Sequence, residues 1–181
     1  MADPGPSSTE HPRLDVEIVR QAGCWHRIPI SDARLSRAAT AAFLAARPTE
    51  QGPYAVTLVL SDDREMRTLN RTWRGKDAST NVLSFPSGLP VGEARGEPYP
   101  LGDVVLAGET VLQEAGQQGI PVADHVAHLV VHGMLHLLGH DHERDDDAEW
   151  MEALETKVLA GLGIADPYAR APLADVAEVS P

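Results

Sequence analysis

The chain has 181 residues, 43% of them hydrophobic, and its 15 Lys and Arg against 27 Asp and Glu leave a net charge of −12. That is one domain's worth of sequence with enough apolar content for a substantial core, yet no run approaches the roughly 18 consecutive apolar residues that span a bilayer. A lone cysteine, Cys24, excludes an intramolecular disulfide scaffold and a cysteine-built zinc module, and favours a reducing cytoplasm.

Residues 1–12 are rich in Pro, Ser and acids and lack the basic start and apolar run of an export signal, so they read as a disordered tail. Residues 166–181 read as a second flexible tail, which leaves one folded unit over 13–165. Leu14–Val19 alternates apolar and polar side chains like a half-buried strand. Ser31 and Asp32 offer an N-cap to a helix over Ala33–Ala46, closed by Pro48 and Gly52, and Tyr54–Leu60 is the near-continuous apolar run of a central strand. Ser61 is expected to cap a second helix through about Trp73. A strand over Thr80–Phe85, a Gly- and Pro-rich loop over Pro86–Leu101 and a short strand over Asp103–Ala107 follow. Helices at about Glu109–Gln118, Ala123–Leu138 and Asp147–Leu162 complete the unit. Strands dominate the first half and helices the second, which is the pattern of an α+β fold.

Six of the eight histidines fall between His125 and His142. His132 and His136, at i and i+4, project from one helix face closely enough to chelate one ion. His142 cannot join them on a continuous helix, because six more residues carry it about 9 Å along the axis and roughly 240° around it. Gly139 stands where a left-handed cap would end the helix and swing His142 back. Three imidazoles with a fourth position left to water is the donor set of a catalytic zinc site. His125 and His128 share the helix face but are expected to be hydrogen-bonded supports rather than ligands, and His140 to line the turn. Asp141 either orients a ligand imidazole or finishes the turn. The spacing matches the metzincin pattern H-x-x-x-H-x-x-G-x-x-H, but the position that holds the general-base glutamate of a metallopeptidase is Gly133. Peptide hydrolysis loses its usual base, so another substrate is implied.

In the second helix Arg64, Arg67, Arg71 and Arg74 share roughly an 80° arc while Met66, Leu69 and Trp73 take the opposite, packing side. From Met66 to Lys76 the chain holds Arg67, Arg71, Arg74 and Lys76 and no acid, a cationic stripe suited to a phosphate backbone. The acidic segment Glu143–Glu155 is expected to solvate and cap the last helix, with a docking face for a basic protein as the lesser reading.

These residues carry a family resemblance. His132 to His142, read as H-G-x-L-H-L-x-G-x-D-H, together with Leu69–Lys76 (LNRTWRGK), Thr80–Pro86 (TNVLSFP) and Leu101-Gly102-Asp103, resembles the YbeY family of bacterial endoribonucleases, also called rRNA maturation factors. The resemblance implies a single zincin-like α+β domain, with a small mixed sheet of about four strands packed with about five helices. It implies one Zn2+ held by His132, His136 and His142, a functional arginine at Arg74, and cleavage of single-stranded RNA in 16S rRNA 3′-end maturation and ribosome quality control. It also implies partners on the small ribosomal subunit and among its assembly factors, in the cytoplasm and without a membrane. His140 stands where a tyrosine is common in the family, and Asn81 where many members carry aspartate. The expected mechanism has zinc lowering the pKa of bound water towards ~7 while Arg74 steadies the scissile phosphate, with Arg67, Arg71 and Lys76 contacting the strand. Attack by hydroxide on phosphorus and deprotonation of the RNA 2′-OH both remain open. A metallohydrolase of another substrate class and a non-catalytic, zinc-containing assembly factor are the alternatives.

Overall fold

The computed structural model describes residues 13–46, 53–88, 97–140 and 145–169. The expected tail at 1–12, Pro48 and Gly52, the middle of the loop read over Pro86–Leu101, the residues Asp141 and His142, and residues 170–181 of the tail expected over 166–181 lie outside these. The start of that second tail departs from the flexible reading, since Asp166 and Tyr168 are hydrogen-bonded to Thr156 and Glu155 of the last helix.

Four strands form one mixed sheet among the described residues. β1 (Arg13–Arg20) runs parallel to β2 (Pro53–Ser61) at one edge, and β3 (Val82–Pro86) runs antiparallel to β4 (Tyr99–Ala107) at the other. β2 and β4 pair in parallel at the centre, giving the order β1-β2-β4-β3. Five helices surround the sheet: α1 (Asp32–Ala46), α2 (Asp63–Arg74), α3 (Gly108–Gln118), α4 (Val122–Leu137) and α5 (Asp145–Gly161). This is the α+β arrangement expected from the sequence. Its closing helices begin and end within about two residues of the expected bounds.

The central place of β2 between β1 and β4 accounts for its apolar run: Val56, Leu58 and Leu60 are buried, while Ala55, Thr57 and Val59 on the other face are half-buried. Val56, Leu58 and Leu60 of β2 and Val104 and Leu106 of β4 meet Leu35, Ala39 and Phe43 of α1 and Val130, Val131 and Met134 of α4 in the main core. Val105 and Ala107 point to the opposite face, where they join Met66 of α2 and Leu83 of β3 in a smaller cluster. The sheet therefore separates α2 from α4, and only the edge strand β3 stands between them.

Three boundaries differ from the sequence reading. Asp62, not Ser61, caps α2: its side chain accepts the Glu65 N–H at 2.9 Å. Ser61 instead closes β2, fully buried, and its hydroxyl donates to Glu65 Oε2 at 2.6 Å. β4 begins at Tyr99, so Tyr99–Leu101 belongs to a strand rather than to the loop. Among the described residues no helix is long and apolar enough to cross a membrane.

Candidate functional site

α4 is buried nearly all round, with Val126, Leu129, Val130, Val131, Met134 and Leu135 each under 10% exposed. The helix approaches the sheet closely because of Gly133: a Cβ there would stand 2.6 Å from Val104 Cγ1 and 3.1 Å from Ser84 Oγ. The Ser84 hydroxyl instead donates to the Gly133 carbonyl at 3.0 Å, fastening α4 to the edge strand. The same packing explains why the peptidase glutamate has no counterpart here, since the position faces the sheet and leaves no volume for a side chain.

α4 ends as the sequence predicts. Gly139 has φ +86°, its N–H donates to the His136 carbonyl at 3.0 Å, and the His140 N–H donates to Leu135 at 3.0 Å. This pair of bonds is the Schellman closure, in which a residue without Cβ takes the left-handed position at little cost. The closure leaves His132 and His136 on the last two turns of the helix. His142 and Asp141 follow it and lie outside the described residues. Among the described residues no three His, Cys, Asp or Glu side chains converge as an ion-binding group.

The two imidazoles are nonetheless ordered. Their rings stand 4.6 Å apart between centroids at 79°, with the Nε2 atoms 3.1 Å from each other. Glu155 of α5 supplies the order. Its Oε1 lies 2.7 Å from His132 Nδ1 and its Oε2 lies 3.1 Å from His128 Nε2, while the Tyr168 hydroxyl donates to Oε2 as well. Burial alone would raise the Glu155 carboxyl, but the bonds donated by His128, His132 and Tyr168 outweigh it and hold the pKa at about 2. Burial and the neighbouring Glu155 charge push the Tyr168 phenol above its ordinary range, so it remains the donor. A carboxylate 2.7 Å from His132 Nδ1 favours the proton on that nitrogen and leaves the Nε2 lone pair facing His136.

Glu155 is thus not part of a solvated acidic face, as the sequence suggested, but 0% exposed and central to the site. The signal for it was its spacing: Met151, Glu155, Val158 and Leu159 mark a buried stripe along α5, and a charged residue in such a stripe demands partners. His125 is the hydrogen-bonded support expected, with Nε2 2.7 Å from Glu114 Oε2. Glu114 in turn accepts from Asn81 Nδ2 at 3.2 and 3.0 Å, which ties α3 and α4 to the start of β3. His140 packs its ring against Trp150 at 4.6 Å, and burial lowers its pKa.

His132 and His136 open into a cleft of about 660 Å3 whose walls include Arg74, Thr80, Asn81, Ser84, Pro86, Gly139 and His140. The structure therefore brings Arg74, the last residue of α2, around the edge strand to the histidine pair. Arg64, Arg67 and Arg71 line a second groove with Asp63 and Asp77, on the same helix. Arg67 is bound there in a fork to Asp77, at 2.8 and 2.7 Å, which raises the pKa of the one and lowers that of the other. Lys76 is exposed on the turn after α2. Trp73 departs from the expected packing face: Met66 is fully buried, but Trp73 is 69% exposed.

These features define an α+β enzyme class in which a cleft at the sheet edge places an arginine beside a carboxylate-anchored histidine pair. A family model described as "Endoribonuclease YbeY" matches residues 25–163. Relatives named endoribonuclease YbeY include one from Bradyrhizobium diazoefficiens, 49% identical over 165 residues and covering 90% of each chain. Another, from Paramagnetospirillum magneticum, is 52% identical over 162 residues, covering 86% of this chain and 97% of the relative. The solution structure of TM1509 from Thermotoga maritima, 22% identical, covers 86% of this chain and 100% of its own with a TM-score of 0.51, and supports the same fold. The chain belongs to the YbeY family of endoribonucleases.

Proposed function

We propose that the chain is a metal-dependent endoribonuclease that cuts single-stranded ribosomal RNA in the cytoplasm, with one zinc ion held by His132, His136 and His142. The observation that carries this reading is the 3.1 Å separation of the His132 and His136 Nε2 atoms, with Glu155 fixing the His132 tautomer from behind. Two nitrogens at about 2.0 Å from one tetrahedral ion stand about 3.3 Å apart, so the donor pair fits. The left-handed turn at Gly139 supports His142 as the third donor, since it stops the helix that would otherwise carry residue 142 to the far side. An ion of this kind supplies a Lewis acid that lowers the pKa of water towards ~7 and draws charge from a phosphoryl oxygen.

The protein's own groups do the rest. Arg74, which lines the same cleft, presents a planar fork to the phosphate, where charge gathered on the oxygens in the transition state is stabilised more than in the ground state. Glu155 holds the His132 ring in one orientation, so no rotamer has to be chosen as the substrate arrives. Gly133 stands where a metallopeptidase carries its general-base glutamate, which argues for a phosphodiester over a peptide. Family membership supports action in 16S rRNA 3′-end maturation and ribosome quality control, with the small ribosomal subunit and assembly factors as partners.

The test is cleavage of a labelled single-stranded RNA by the purified full chain, with chelator, with zinc restored, and with the product ends mapped. Chelation and His132→Ala are expected to abolish cleavage, and Arg74→Lys to impair turnover while leaving zinc bound. Full activity in metal-free buffer would overturn the proposal. A 2′,3′-cyclic phosphate end would assign attack to the RNA 2′-OH.

A further inference from the structure

Trp73 is 69% exposed near the end of α2, on a helix whose other apolar residues, Met66 and Leu69, pack inward. An exposed apolar residue is ordinary by itself. Three surroundings set this one apart. Its ring is held edge-to-face on Phe85 of β3, with centroids 5.9 Å apart at 63°, so the outer surface of the indole is presented at a fixed tilt. Arg71, Arg74 and Lys76, all exposed, lie within one turn of chain on either side of it. Finally, Arg74 and the β3 residues Ser84 and Pro86, the chain neighbours of Trp73 and Phe85, are walls of the histidine cleft. The aromatic pair and the cleft thus share the end of α2 and the edge strand, on opposite sides of that strand.

We propose that Trp73, backed by Phe85, is the stacking platform for an unpaired base of the RNA strand whose phosphate lies against Arg74. The inference rests on the endoribonuclease reading and names the residue that selects single strands for it. A strand crossing β3 keeps its phosphates near Arg71, Arg74 and Lys76, and a base turned outward lies flat on the indole. In a duplex the base faces are already stacked on their neighbours and cannot reach the indole, so paired RNA forfeits the contact. Every base has a π face, so the platform discriminates by strandedness and not by sequence. Phe85 and Pro86 also border a second hollow, which carries Asp15, Glu17 and Asp103. Those carboxylates repel a phosphate chain and keep the strand on the α2 side of the edge.

The test compares steady-state cleavage by the zinc-loaded full chain and by its Trp73→Ala and Trp73→Phe variants, on a labelled single strand and on the same sequence paired in a hairpin stem. Trp73→Ala is expected to raise KM for the single strand about 5- to 100-fold, with kcat within about twofold and the melting temperature unmoved. Trp73→Phe should recover most of the loss, and the preference for single over paired RNA should shrink in the alanine variant only. A second series places one abasic residue at successive positions of the strand. One position should cost the wild type about as much as Trp73→Ala does, and cost the alanine variant little more, since the two changes remove one contact. Unchanged KM in Trp73→Ala, or additive penalties at every abasic position, would overturn the platform while leaving the nuclease intact. A wild-type chain that cuts no RNA would overturn the proposed function and this inference together.

Discussion

Gly133 decides chemistry by packing. With Val104 Cγ1 2.6 Å from where its Cβ would be, even the smallest side chain drives α4 off the sheet. Gly133→Ala is expected to destabilise the fold by about 1–3 kcal/mol, measured by urea unfolding, and Gly133→Glu to lose the native state rather than gain peptidase activity. Glu155 decides orientation. Glu155→Gln keeps the volume but cannot offer two anionic oxygens to His128 and His132, so zinc affinity measured by chelator competition should fall about 10- to 100-fold. A fall in stability with unchanged zinc affinity would remove Glu155 from the site. The histidine spacing was legible in sequence because i, i+4 geometry is local. The partnership of Glu155 with His132 spans a separation of 23 residues, so no local period reveals it, and the surrounding acids disguise a buried carboxylate as one more solvated charge.

At the scale of elements, the ends of α2 and α4 carry the site, and sequence reading served them unequally. The Gly139 closure was legible because only a residue free of Cβ takes φ +86° without strain. Gly139→Ala should cost about 1–2 kcal/mol, seen in thermal unfolding, and should weaken zinc binding as well, because the turn that follows the histidine pair is redirected. The start of β4 was illegible for a different reason. Pro100 and Gly102 read as breakers, but β3 pairs only as far as Gly102, so at Tyr99 and Pro100 the strand has a partner in β2 alone. An edge position tolerates proline, and which positions are edges is set by long-range pairing. Trp73 shows the same limit, since the helical period puts it on the packing side but the short β3 leaves it only Phe85 to meet.

Taken as a whole, the molecule carries −12 net charge yet concentrates Arg71, Arg74 and Lys76 at one end of α2. The sum repels nucleic acid and the local cluster attracts it, so binding should be confined to that end and depend on salt. For about three phosphate contacts to a single strand, log K against log salt should fall with a slope of about −2. Zinc is expected to raise the melting temperature through linkage, by about 2.7 kcal/mol of stability at a free concentration 100 times Kd. The increment should disappear in His136→Ala. A shift that survives this substitution would place the ion elsewhere. The order of the expected strands and helices made the fold class legible, and the charge sum alone would have hidden the cationic end of α2.

The bonds that join Glu155 to His132 and to Tyr168 have a consequence in time. Translation delivers both imidazoles before it delivers the carboxylate and the phenol that set their tautomer, so a polypeptide still leaving its ribosome holds the ring pair without its anchor. The site is completed only after its last supporting residues have been synthesised, and a message broken between the His136 and Glu155 codons yields a product that holds the histidine pair without its carboxylate.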